Sequence, residues 1–223
     1  RGIRLCLHER RDLFETQLRA LLRAGVYGNL RVMLPMVSSI REVIEVHSII
    51  EQLQQKLAAE KREFASTLPI GIMIETPSAA LLADKFAPLV DFFSIGSNDL
   101  VQYTMAIDRG NDRVAYLYRP SHPAILELIR LTVTAAQRHN IWIGVCGQMA
   151  ADAYMVPLLV GLGVHELSMA PASISIVRRV IRSLSMHEAE EAARNALDCD
   201  NASDSLAISE ALLRKCAPEI ANI

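Results

Sequence analysis

The stretch Asp91-Phe-Phe-Ser-Ile-Gly-Ser-Asn-Asp-Leu-Val-Gln-Tyr-Thr-Met-Ala-Ile-Asp-Arg109 sets how the rest of the chain is read. Phe92 to Ile95 is a short apolar run of the length of a strand buried on both faces. Gly96 stops it, where a small residue lets the backbone turn tightly or approach a ligand. Ser97, Asn98, Asp99 and Gln102 follow, then the pair Asp108 and Arg109. A hydroxyl, an amide and a carboxylate thus arrive at the carboxyl end of a sheet strand, where α/β proteins bind ligands. The alternative for each of Ser97, Asn98 and Asp99 is a helix N-cap, since all three residue types cap well.

Outward from that stretch, apolar strand runs alternate with amphipathic helices. Leu13 to Ala24 has helical apolar spacing and ends at Gly25 and Gly28. The next strand run, residues 30–36, closes on a proline, and Ser38 or Ser39 can cap a helix from Ile40 to about Lys61. A second buried strand spans residues 68–75, and Pro77 opens a helix through Ala83. After Phe92–Ile95, a short helix is expected from Asp99 to Ala106. Residues 108–122 form a long polar loop of the kind kept for function. Pro123 to His139 is helical, residues 141–146 a fourth strand, and Asp152 is expected to cap a helix from Ala153 to about Val160. Residues 166–169 read as a fifth strand, Ile174 to Leu184 as its helix, and the tail from His187 as two further helices.

Such alternation predicts a parallel sheet with right-handed crossovers. Four strands end in polar or reactive residues: Glu75, Asn98 with Asp99, Cys146 with Gln148, and Ser168. Carriers on several strand ends favour a (β/α)8 barrel over a doubly wound sheet, with its amino-terminal strands lacking here. The expected division is a barrel part over 1–184 and peripheral helices over 185–223.

The bulk properties exclude some classes. Of the 223 residues 51% are hydrophobic, enough for a sizeable core, and the formal net charge is −2 with no long basic run. A general nucleic-acid surface is therefore not expected. No apolar run approaches the ~20 residues that span a bilayer, so no membrane partner is expected. Cys6, Cys146, Cys199 and Cys216 are scattered, without metal-finger spacing, which points to free thiols in a reducing cytoplasm. The start, Arg1-Gly-Ile-Arg-Leu, has neither an initiator methionine nor a leader, and reads as the interior of a longer protein.

Glu75 and Asp99 close adjacent βα units. Two carboxylates from neighbouring strands suit Mg²⁺, which takes one or two of them and completes its shell with substrate oxygens and water. The alternative is two unrelated acids, one of them a cap. Asn98 and Arg109 could hold an anion beside that metal, with Arg1 and Arg4 as further candidates. Cys146, at the end of its strand, is either a small buried hydrophobe or a proton donor facing the same site. No histidine, glycine-rich phosphate loop or Ser/His/Asp set stands out.

Taken together, residues 1–4, 30–36, 71–77, 92–99, 102–111, 145–147 and 166–169 resemble the C-terminal phosphoenolpyruvate-binding barrel of the bacterial phosphoenolpyruvate–protein phosphotransferases, the enzyme I family of the sugar phosphotransferase system. The stretch from Ser97-Asn-Asp99 to Arg109-Gly-Asn111 separates that family from its dikinase and PEP synthase relatives. The resemblance implies Glu75 and Asp99 as Mg²⁺ ligands, Arg1, Asn98, Asp99 and Arg109 as phosphoenolpyruvate-site residues, and Cys146 as the proton donor to the enolate carbon. It further implies a homodimer, a phosphoryl-accepting histidine on a separate domain, and a histidine phosphocarrier protein as partner. This chain alone would then be unable to transfer phosphate. Three positions depart from the family's usual residues: Ser97 for Thr, Gln148 for Glu and Ala151 for Gly. The Gln148 change removes a charge near Cys146, so a non-catalytic dimerisation or regulatory module stays open beside the enzyme and its dikinase-like relatives.

Overall fold

The computed structural model describes residues 2–221. Five strands carry the fold: β1 (Val32–Leu34), β2 (Ile70–Ile74), β3 (Phe92–Gly96), β4 (Trp142–Cys146) and β5 (Glu166–Ser168). All neighbours are parallel and the spatial order is the sequence order, β1-β2-β3-β4-β5. A doubly wound sheet reverses its order at a switch point; an arc of a barrel does not. The fold is α/β, an arc of five consecutive units of the (β/α)8 type, and among the described residues β1 and β5 each pair with one neighbour.

The period-2 alternation of the strands makes two unlike faces. On one, Leu34, Ile70, Ile72, Ile74, Phe93, Ile95, Ile143 and Val145 are buried under the helices. On the other, which lines the inside of a barrel, Met33 is 40% exposed, Met73, Ser94, Trp142 and Cys146 are half-buried, and Glu166 and Ser168 are exposed. At the amino end of this inner face the Phe92 and Trp142 rings meet edge to face, with centroids 5.6 Å apart. Gly71 leaves room for that contact, since a Cβ there would sit 2.4 Å from the Phe92 ring.

The helices are α1 (Arg11–Ala24), α2 (Ile40–Ala59), α3 (Pro77–Leu81), α4 (Ala83–Phe86), α5 (Ser97–Thr104), α6 (Pro123–Arg138), α7 (Gln148–Ala151), α8 (Val156–Gly161), α9 (Pro171–Ser183), α10 (Met186–Leu197), α11 (Ala202–Cys216) and α12 (Pro218–Ala221). Their starts follow local chemistry. Ser39 and Glu42 form a reciprocal capping box on α2. Thr76 caps α3, with Pro77 in its first turn. Asp152 differs from expectation. Its Oδ1 accepts the Tyr154 amide at 2.9 Å in a local turn, and the helix is split into α7 before it and α8 after it. A π-helical turn at Leu5–Glu9 also had no periodic signature.

The boundary at residue 184 falls between α9 and α10. α10 lies so close to α8 that a Cβ on Gly161 would sit 2.0 Å from the Ala189 carbonyl oxygen. Ala189, Ala192, Ala193 and Ala196 are the buried residues of α10, and Ala189 and Ala193 face Gly161. Ser205 and Ser209, both fully buried on α11, donate to the Ala196 and Tyr154 carbonyls at 2.9 and 2.5 Å. No described helix is long and apolar enough to cross a membrane.

Candidate active site

Glu75 follows β2 directly and is buried, 4% exposed. The chain makes room for it twice. Met36, just beyond β1, takes a left-handed backbone (φ 56°), rare for a residue with a side chain, and its amide donates to Glu75 Oε1 at 2.6 Å. Gly96, at the end of β3, leaves the second oxygen unobstructed, since a Cβ there would fall 2.9 Å from Glu75 Cβ and 3.0 Å from Oε2. Burial raises the Glu75 carboxyl above its ordinary value, and the neighbouring Asp99 carboxylate raises it further against the Met36 hydrogen bond.

Asp99 sits in the first turn of α5, where the helix dipole favours an anion. It is not the N-cap; that position belongs to Gly96, which has no side-chain cap. Ser97 is fully buried and donates to the Cys146 carbonyl at 2.7 Å, a bond that ties the end of β3 to the end of β4. Asn98 Oδ1 accepts two donors, the Gln148 amide at 3.1 Å and the Tyr118 hydroxyl at 3.3 Å. With its oxygen engaged by both, Asn98 has its NH₂ left to offer a ligand. The tight approach of these strand ends needs Gly147: its φ is +98°, and a Cβ would meet Ser97 Oγ at 2.7 Å and Asn98 Oδ1 at 3.1 Å.

Arg109 comes back to this rim from the loop after α5. Its amide donates to Gln102 Oε1 at 3.1 Å and its Cζ lies 5.9 Å from the centroid of the Tyr118 ring. Its Nε is buried without a hydrogen-bond partner, one of two such side-chain atoms among the described residues, with Thr104 Oγ1. Leaving such a donor unpaired costs about 1–3 kcal/mol, which a bound anion would offset. Burial holds the Tyr118 phenol above its ordinary value, so it stays a neutral donor to Asn98.

Cys146 ends β4 on the inner face, half-buried. Burial pushes its thiol up, Ser94 beside it pulls the other way, and Glu75 and Asp99 push it up again. The thiol therefore holds its proton at neutral pH, with the Glu75 and Asp99 carboxylates close enough to act on it.

The structure thus brings together Glu75, Asn98, Asp99, Arg109 and Cys146 at the carboxyl ends of β2, β3 and β4. Arg1 lies outside the described residues. Arg4 pairs with Glu42 at 3.7 Å. Among the described residues no three His, Cys, Asp or Glu side chains cluster to hold a metal by themselves. The pair Glu75 and Asp99 fits Mg²⁺ nonetheless: burial and the neighbouring Asp99 disfavour the charge on Glu75, which a hard cation would relieve, and Mg²⁺ draws its remaining ligands from substrate and water. Sequence reasoning missed Tyr118 and the Met36 amide. Tyr118 had a signal, an aromatic residue in a long polar loop; the Met36 amide had none, because a backbone donor is the same at every position.

A depression of about 700 Å³ lies at the opposite end of the sheet, lined by Gly28, Asn29, Arg31, Ser66, Thr67 and Pro69 among others. It has no paired acids and no buried nucleophile, and its one charge, Arg31, lies over the Trp142 ring at 6.0 Å.

Residues 1–186 match the family described as PEP-utilising enzyme, PEP-binding domain. The chain belongs to that family. Among relatives of this PEP-binding domain, the phosphoenolpyruvate-protein phosphotransferase of Bacillus subtilis (strain 168) is 50% identical over 190 residues, 85% of this chain and 33% of that protein. Its namesake in Enterococcus faecalis (strain ATCC 700802 / V583) is 49% identical over 212 residues, covering 94% of this chain and 37% of that protein. The chain therefore spans about a third of the length of these relatives. A solved structure of a citrate lyase from Burkholderia xenovorans LB400 superposes with a TM-score of 0.56 over 94% of this chain and 72% of that one, at 17% identity. That likeness concerns the fold alone.

Proposed function

We propose that this chain is the phosphoenolpyruvate site of a phosphoenolpyruvate–protein phosphotransferase. One observation carries the reading: a buried carboxylate raised by burial and by its neighbour Asp99, a buried arginine donor without a partner and a protonated thiol converge on one rim of the sheet. The name that these relatives carry supports the choice of reaction over a dikinase.

Glu75 and Asp99 would hold Mg²⁺, with Asp99 also facing the substrate, and the ion supplies charge neutralisation at the phosphoryl and carboxylate oxygens. Arg109, through its unpaired Nε, and Asn98, through its NH₂, bind the anion, and Arg1 adds a further charge on the phosphate side. The phosphoryl group leaves the enol oxygen for a histidine nitrogen on a separate N-terminal domain; the P–O bond breaks and a P–N bond forms. The enolate left behind takes the Cys146 thiol proton on its terminal carbon, which yields pyruvate, and solvent reprotonates the thiolate. The phosphohistidine then serves a histidine phosphocarrier protein. The protein works as a homodimer in the cytoplasm, residues 1–184 belong to the barrel and 185–223 to flanking helices, and this chain by itself does not transfer phosphate.

Isothermal titration of the chain with phosphoenolpyruvate, with Mg²⁺ and with EDTA, tests the site. Saturable binding that needs Mg²⁺ and is lost in Asp99→Ala is expected. Binding indifferent to both Mg²⁺ and Asp99→Ala would refute it, as would no binding either to the chain or to the chain joined behind the preceding two-thirds of the Bacillus subtilis relative.

A further inference from the structure

The loop between α5 and α6 departs from the rim at Arg109 and returns to it at Tyr118. Between them Gly110, Asn111, Asp112, Arg113, Tyr116 and Leu117 are exposed, and the hydrogen bonds are short-range: Asp108 Oδ1 takes the Gly110 amide at 2.8 Å and Asn111 Oδ1 the Arg113 amide at 3.1 Å. Neither of these ties the loop's far half back to the rim. Tyr118 does. Its hydroxyl donates to Asn98 Oδ1 at 3.3 Å and its ring lies under the Arg109 guanidinium, so one half-buried side chain touches both groups that would receive the anion.

We propose that Tyr118 is the positioning residue of the anion site, its ring aiming Arg109 and its hydroxyl fixing the Asn98 amide so that the NH₂ faces the ligand. The two functions reside on different parts of the side chain and are separable. Gln148 contributes the second donor to Asn98 through its backbone, which no side-chain change removes, so loss of the hydroxyl alone leaves Asn98 half held. Loss of the ring frees Arg109, whose buried Nε has no other partner to hold it. The proposal rests on the phosphoenolpyruvate reading of the rim, but its structural half does not.

The test uses Tyr118→Phe, Tyr118→Leu and Arg109→Ala in the whole chain, with two readouts that need no ligand. These are the Arg109 Nε–H resonance, displaced by the aromatic ring current, and hydrogen exchange of amides 110–117. Tyr118→Phe is expected to keep the resonance and the exchange protection, and to weaken phosphoenolpyruvate binding in Mg²⁺ about threefold. Tyr118→Leu is expected to move the resonance to that of an exposed arginine, to speed exchange across the loop, and to weaken binding at least about tenfold. A Tyr118→Leu variant with unchanged resonance and exchange overturns the proposal, whatever the ligand does. A Tyr118→Phe variant as impaired as Tyr118→Leu overturns the division between ring and hydroxyl. If Arg109→Ala leaves the affinity intact, the anion reading fails instead, and the resonance and exchange data still decide whether Tyr118 holds the loop.

Discussion

The carboxyl-end rim and the contact between α8 and the tail helices are built on opposite terms. At the rim, Glu75 is buried beside Asp99, Met36 and Gly147 hold left-handed backbones, and Arg109 Nε has no partner. At the tail contact, Ala189 and Ala193 close on Gly161, and the buried Ser205 and Ser209 hydroxyls both reach carbonyl oxygens. One region stores strain and unpaired polarity; the other is satisfied and close-packed. Strain of that kind persists where the surrounding fold over-determines it, and it clusters at binding sites. The difference predicts that substitutions at the tail will cost stability alone, whereas some substitutions at the rim will gain stability and lose binding.

Gly161→Ala is the largest expected effect. A new Cβ 2.0 Å from the Ala189 oxygen must push α10 away from α8, at about 3 kcal/mol, read as a fall in the denaturation midpoint. Denaturation unchanged by this substitution would break the contrast from the stable side. Gly147→Ala comes next, at about 2 kcal/mol for a side chain at φ +98°, with displacement of Ser97 and Asn98 added. Unlike Gly161→Ala, it should also abolish phosphoenolpyruvate binding at temperatures where the variant is still folded.

Glu75→Gln should go the other way. The folded carboxyl is raised above its unfolded value, so its contribution is at its most favourable below the ordinary carboxylate range. It is lost as pH rises through the raised value. At pH 7–8 without divalent cation the neutral amide should therefore be more stable than wild type by about 1 kcal/mol, roughly 2–4 °C in Tm. The gain should vanish at pH 4, and added Mg²⁺ should stabilise wild type but not the variant. A variant less stable than wild type at pH 8 in EDTA would contradict the strain assigned to the rim. The same variant sharpens the smallest effect. With one carboxylate gone, the Cys146 thiol should titrate lower, and its alkylation at pH 8 should quicken about threefold. No change would mean that Glu75 does not act on the thiol.

Much of this rim was legible in the sequence because strand ends write it there: an apolar run followed by Glu75, by Gly96-Ser-Asn-Asp99 or by Cys146 places side chains by period alone. Short apolar runs likewise located all five strands, to within a residue or two at most ends. What escaped has no periodic signature. The Met36 amide that grips Glu75 depends on a left-handed backbone at a residue that gives no local sign of it. The ring of Tyr118 meets Arg109 only after a loop folds back on itself. The break between α7 and α8 follows from Asp152 accepting the Tyr154 amide, a turn, where the same residue type elsewhere caps a helix. Ser97 reads as a cap or a ligand in sequence, yet its hydroxyl is engaged on the Cys146 carbonyl.

If Glu75 and Asp99 form one cation site facing phosphoenolpyruvate, the ion needs both carboxylates. Mn²⁺ binding followed by electron paramagnetic resonance, in the presence of phosphoenolpyruvate, addresses this most directly. One bound ion per chain is expected in wild type, and none at the same concentration in either Glu75→Gln or Asp99→Asn. Equal Mn²⁺ binding by wild type and both variants would contradict such a site.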